Sequence, residues 1–175
     1  MTATRLCLLA GLLPAALGAQ VRPAAPASPA APTYRGFTPG ASYREFAQRA
    51  RALARRDPLV CNTSTKTAQL MECGLLIRDP ADSAAFYLSA YVLESKVAMV
   101  SLGDSGGPQL VERLKLDLTR KFGPPHTTGI GTWEWQFGRR QVRFNWRGRR
   151  GIRWIYISLT DLDVMDRISH YVGRR

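Results

Sequence analysis

The stretch WEWQFGRRQVRFNW, Trp133 to Trp146, decides how this chain folds. Trp133, Trp135 and Phe137 alternate with Glu134 and Gln136, and Val142, Phe144 and Trp146 alternate with Arg143 and Asn145. A period of two marks strands with one apolar face. Gly138-Arg139 between them suits a two-residue hairpin turn. That turn sets Trp135 opposite Val142, Trp133 opposite Phe144 and Glu134 opposite Arg143, each a favourable cross-strand pair. The alternation places Trp133, Trp135 and Trp146 on one face, read here as the core side.

Working outward, Ile152 to Thr160 returns as a third strand. It is apolar on both faces, so its core side stays open. Thr160 is expected to cap a short final helix, with Asp163 three residues on. Upstream, Leu110, Val111, Leu114, Leu118 and Phe122 recur at helical spacing from Pro108 to Gly123-Pro124-Pro125.

The same order occurs once before. Tyr43, Phe46, Ala47, Ala50, Leu53 and Ala54 mark a helix between Thr38-Pro39-Gly40 and Asp57-Pro58. Strands follow at Leu59 to Cys61 and Leu70 to Ile77, where Met71, Cys73, Leu75 and Ile77 share a face. Ala85 to Leu93 and Val97 to Leu102 then pair around Glu94-Ser95. The expected fold class is α+β, two successive units of one helix packed on an antiparallel sheet, about 34–104 and 105–175.

This order, with Phe37-Thr38-Pro39-Gly40 before the first helix and Lys121-Phe122-Gly123-Pro124 after the second, resembles two known classes. They are the tandem helix-plus-sheet modules of beta-lactamase inhibitor protein and the SmpA/OmlA class of outer-membrane assembly proteins. The resemblance covers roughly Tyr34 to Leu162. It implies an exported binding or scaffolding module, not a catalyst, and carries over no binding residue. The lipid-anchor cysteine of the assembly proteins has no counterpart here.

Composition agrees with an exported globular protein. The chain has 175 residues, 45% hydrophobic, with 25 Lys plus Arg against 13 Asp plus Glu and a net charge of +12. That excludes a large multidomain enzyme and a polytopic membrane protein. Residues 1–19 read as a signal peptide: Arg5 gives the positive start, Leu6 to Leu17 the apolar run, and Ala16-Leu17-Gly18-Ala19 the small residues for cleavage. The run is too short to span a bilayer, no later segment could, and Cys7 stands at its start rather than after it. Neither a lipid anchor nor a transmembrane segment is expected in the mature chain. Residues 20–33, rich in Ala and Pro, read as a linker, and residues 34–175 as the α+β domain.

Loss of Cys7 with the signal leaves Cys61 and Cys73. They lie equidistant from Thr67, so a hairpin turning there would pair them, and a disulfide is expected in an oxidising compartment.

Three motifs invite stronger readings. Gly103-Asp104-Ser105-Gly106-Gly107-Pro108 matches the nucleophile motif of chymotrypsin-like proteases. That family needs a histidine base upstream of the serine. His126 and His170 both lie downstream, so the expectation is no catalysis and a motif that merely closes a strand and starts a helix. An exported serine hydrolase using Ser105 is the remote alternative.

Arg139, Arg140, Arg143, Arg147, Arg149, Arg150 and Arg153 form a basic stretch with the four tryptophans in or beside it. Export sets nucleic acid aside. The plain reading is a solvated basic face; the functional alternative is anion binding, to an envelope polymer, lipid headgroup or acidic protein.

Asp161, Asp163 and Asp166 lack the ligand set of a calcium loop and suit a helix start. No metal and no cofactor is expected. The functional expectation is an exported, periplasmic or extracellular, non-catalytic binding or structural module. Its partner is an unknown protein or an anionic envelope component.

Overall fold

The computed structural model describes residues 30–54, 57–78, 85–148 and 151–173. The stretch expected to be a signal peptide, most of the expected linker, and Arg149 and Arg150 lie outside the described residues.

The chain enters through a tight turn. Arg35 and Gly36 take positive φ, so that Tyr34 and Phe37 exchange backbone hydrogen bonds of 3.0 and 2.9 Å and both bury. The first helix, α1 (Tyr43–Leu53), follows. Its start is a capping box: Ser42 Oγ accepts from Glu45 N, and Ser42 N donates to Glu45 Oε2 at 2.9 Å. The Ser-x-x-Glu spacing carries that signal. Phe46, Ala47, Ala50 and Leu53 form its buried stripe.

Four antiparallel strands come next: β1 (Val60–Thr63), β2 (Leu70–Arg78), β3 (Ala85–Leu93) and β4 (Lys96–Gly106). Glu94 and Ser95, both at positive φ, make the two-residue turn between β3 and β4. Then come α2 (Pro108–Phe122), β5 (Thr127–Gly129), β6 (Thr132–Phe137), β7 (Arg140–Arg147), β8 (Arg153–Asp161) and α3 (Leu162–Gly173). Strand β5 is three polar, exposed residues and has no apolar period to announce it. The β6–β7 register is the one read from the sequence, with Trp135 opposite Val142, Trp133 opposite Phe144 and Glu134 opposite Arg143. Cys61 opposes Cys73, and the two form a disulfide.

The α+β class and the antiparallel pairing are as expected, but the strands form one sheet. Its order is β1-β2-β3-β4-β8-β7-β6-β5. Strands β4 and β8 join along eight residue pairs, from Met99 with Thr160 to Gly106 with Arg153. The cause is apolar matching. Val100 and Leu102 meet Leu159 and Ile157 on the core side, and all four are at most 1% exposed. Separate sheets would leave this seam as two open edges. The seam also runs past residue 104, since β4 continues to Gly106.

Helices α1 and α2 cover one side of the sheet. Phe46, Ala50, Leu53, Val111, Leu114 and Leu118 bury against Cys73, Leu75, Ile77, Leu88, Leu102, Ile157, Phe144 and Trp135. Each such aliphatic side chain contributes roughly 1.5–3 kcal/mol. Trp135 is fully buried and donates Nε1–H to the Gly123 carbonyl at 2.9 Å, tying the sheet to the end of α2.

A bulge changes the pattern in β4. Tyr91 pairs with Met99 and Val92 with Val97, so Ala98 has no partner on β3. Val97 enters the main core, while Ala98 joins Leu70, Leu93 and Val164 in a second cluster beneath α3. The expected Thr160 cap is corrected. Thr160 lies within β8, and Asp161 Oδ1 accepts from Val164 N at 3.1 Å at the start of α3. The strand reaches one residue further than its apolar pattern suggested. Likewise, Asp104 and Ser105 do not cap α2: both lie within β4, and Gly107 is the N-cap, with no side-chain hydrogen bond.

Candidate functional site: the open face of the sheet

The sheet's other side carries α3 at one end and is otherwise uncovered by the described helices. Strand alternation decides what stands there. In β8, Ile155, Ile157 and Leu159 bury, so Trp154, Tyr156 and Ser158 face out. In β3, Phe86, Leu88 and Ala90 bury, so Tyr87, Ser89 and Tyr91 face out.

Register links these residues into rungs across the sheet. One rung runs Leu76, Tyr87, Gly103, Tyr156, Asn145. The next runs Val60, Gly74, Ser89, Ser101, Ser158, Arg143. A third runs Glu72, Tyr91, Met99, Thr160, Gln141. Ser105, Trp154 and Arg147 form a shorter rung beyond the first.

The middle of the face is therefore low. Gly74 and the three serines form a floor between the rung of Tyr87 and Tyr156 and the rung of Tyr91 and Met99. A hollow of about 330 Å³ opens here, lined among others by Val60, Glu72, Gly74, Tyr87, Ser101 and Met99. The tyrosines lean over glycines. A Cβ on Gly74 would meet Tyr87 Oη at 2.5 Å, and a Cβ on Gly103 would meet Tyr156 Cε1 at 3.5 Å. Tyr87 is 57% exposed, Trp154 55% and Tyr156 39%, with Leu76 and Val60 each 51%. These five large apolar side chains are thus exposed on one face of the sheet.

The basic stretch is divided by the fold. Arg139, in the β6–β7 turn, pairs with Asp163 at 2.8 Å and with Asp166, and these bonds hold its pKa above the ordinary value. Arg140 Nε lies 3.4 Å from the buried Asp161, and Arg143 Nε 2.7 Å from Glu134. Arg147 is exposed on the open face beside Trp154, while alternation turns Arg153 to the helix side. Three of the five described arginines in the stretch thus sit in ion pairs. The aspartates serve those pairs and the start of α3. Among the described residues no group of three or more His, Cys, Asp or Glu is placed to hold a metal ion.

Ser105 is exposed near the end of β4, opposite Trp154. Its backbone N donates to Asp104 Oδ1 at 2.6 Å. Burial holds the Asp104 pKa above the ordinary carboxylate value, against that hydrogen bond and the charges of Arg113 and Arg35. His126 is in the β5 region, where its Nδ1 accepts from Gln136 N at 2.9 Å, and His170 is on α3. No hydrogen bond joins either histidine to Ser105 among the described residues.

Sequence reading alone did not find Tyr87, Tyr156 or the serine rung. The usable signal was the alternation Tyr87, Ser89, Tyr91 and Trp154, Tyr156, Ser158, hidden because both faces of β3 and β8 look apolar. No family model, curated protein or solved structure matches the chain.

Proposed function

We propose that this protein is an exported, non-catalytic binding module of the bacterial envelope or exterior, and that it holds its partner on the open face of the sheet. One observation carries the reading. Val60, Leu76, Tyr87, Trp154 and Tyr156 are all exposed on the side of an eight-stranded sheet that α1 and α2 leave bare. Leaving that much apolar surface in water is unfavourable by roughly 25 cal/mol per Å², and a partner removes the cost.

The chain is further read as two units, each a helix followed by a four-strand meander, joined along β4 and β8. The element order and the mirrored strand order support this. They also support the likeness to beta-lactamase inhibitor protein and the SmpA/OmlA class. The Cys61–Cys73 disulfide suits an oxidising compartment. No described helix is long and apolar enough to cross a membrane.

The test is affinity capture from envelope extract with the oxidised domain, at low and high salt. The expected result is a stoichiometric partner that is lost with Tyr87→Ala plus Tyr156→Ala. Capture that these substitutions leave unchanged would sink the open-face reading. Material that leaves at high salt, depends on Arg143 and Arg147 and is indifferent to both tyrosine substitutions would instead favour an anion-binding role for the basic stretch apart from the open face.

A further inference from the structure

We infer that the open face binds an extended acidic glycan. This rests on the open-face reading above and names the chemistry of the partner.

Tyr87 and Tyr156 are 57% and 39% exposed, and sugars stack their C–H faces on exposed aromatic rings. Tyr87 leans from β3 toward Gly74 of β2, and Tyr156 from β8 toward Gly103 of β4. Both lean toward the β1 edge of the sheet, Tyr156 straight across to its partner Gly103 and Tyr87 diagonally, since its own partner is Leu76. One strand, β4, lies between them. Two inter-strand steps amount to roughly 10 Å, the length of a disaccharide in an extended chain. Trp154 continues the platform two residues along β8 from Tyr156.

The floor between the rings is polar. Ser89, Ser101 and Ser158 stand in one register row, each half-buried. Among the described residues, none of their hydroxyls hydrogen-bonds another side chain. An apolar protein loop seated there would strand these hydroxyls from water, at about 1–3 kcal/mol for each group left unmet. A glycan brings hydroxyls to meet them. Asn145, next to Tyr156 in its rung, adds an amide of the same kind.

The face also carries an unmatched positive charge. Arg147, exposed beside Trp154, has no ion-pair partner among the described residues, whereas Arg143, beyond Asn145 on the same face of β7, is engaged by Glu134. A carboxylate on the glycan would complete Arg147. The net charge of +12 favours approach of an acidic polymer.

The experiment is titration calorimetry of the oxidised domain with a soluble β-linked oligomannuronate, and with a neutral β-linked glucose oligomer of equal length. Native protein, Tyr87→Ala, Tyr156→Ala, Ser101→Val and Arg147→Ala are compared, each checked for fold by circular dichroism. The expected result is saturable binding of the acidic oligomer. It should weaken by about tenfold on loss of either tyrosine, weaken with Arg147→Ala, and weaken with rising salt. No saturable binding, or binding indifferent to both tyrosines, overturns the inference. Equal binding of the neutral oligomer overturns its acidic part. A protein captured from envelope extract through Tyr87 and Tyr156, with no oligosaccharide bound, overturns the glycan and leaves the open-face reading standing. Failure of both assays ends both.

Discussion

The phenol oxygen of Tyr87 occupies the space where a side chain on Gly74 would begin, 2.5 Å from the position of its Cβ. The obstacle is the free end of a side chain that can swing away. Gly74→Ala should therefore leave the melting temperature unchanged or slightly higher, since alanine is favoured over glycine in a strand by roughly 0.5–1 kcal/mol. It should also displace Tyr87 and weaken partner retention. A thermal melt beside a retention assay separates the two effects.

The seam between β4 and β8 should dominate stability. Leu102 and Ile157 face each other there, at 1% and 0% exposure. Ile157→Ala should cost about 2–5 kcal/mol by urea denaturation. Arg143→Ala, one strand away on the open side, breaks a half-exposed ion pair and should cost at most about 1 kcal/mol. Equal effects would mean that the halves do not share one core.

The disulfide closes a short loop, with a sequence separation of 12 between Cys61 and Cys73. Closing a loop of this size stabilises by about 3 kcal/mol on the chain-entropy account. Replacing both cysteines by alanine should lower Tm by about 10 °C. Scanning calorimetry of the oxidised and substituted proteins measures this.

Asp104 should make stability fall as pH rises. Burial raises its folded pKa above the unfolded value, so the native state holds this proton more tightly. The stabilisation is present at low pH. It is lost as pH climbs from the ordinary carboxylate range through the raised folded value. Asp104→Asn keeps an oxygen to accept from Ser105 N and removes the titration. Its Tm should exceed the native value at neutral pH, with the gap closing in acid. A gap that widens in acid would contradict the assigned direction.

The hairpin from Trp133 to Trp146 was legible because everything that fixes it is local. A two-residue turn sets the register, and alternation sets the faces. The pairing of Cys61 with Cys73 was legible for the same reason. The single sheet was not. It depends on β4 meeting β8 across more than forty intervening residues, and neither strand's sequence names its neighbour. The candidate site was hidden by the same gap. Tyr87, Ser101 and Tyr156 belong to three strands, and only the assembled register brings them together. The basic stretch shows the converse. Its arginines are adjacent in sequence, yet the turn at Arg139 and the period of two distribute them among separate partners.

The two outermost strands are also the shortest, four residues in β1 and three in β5, against nine to eleven in β2, β3, β4 and β8. A sheet this wide with long flanks would present two rows of unmet amides and carbonyls to every neighbouring copy. Tapering both margins leaves too little ladder for another chain to extend. The molecule can thus keep a broad, bare, aromatic sheet in water without polymerising edge to edge.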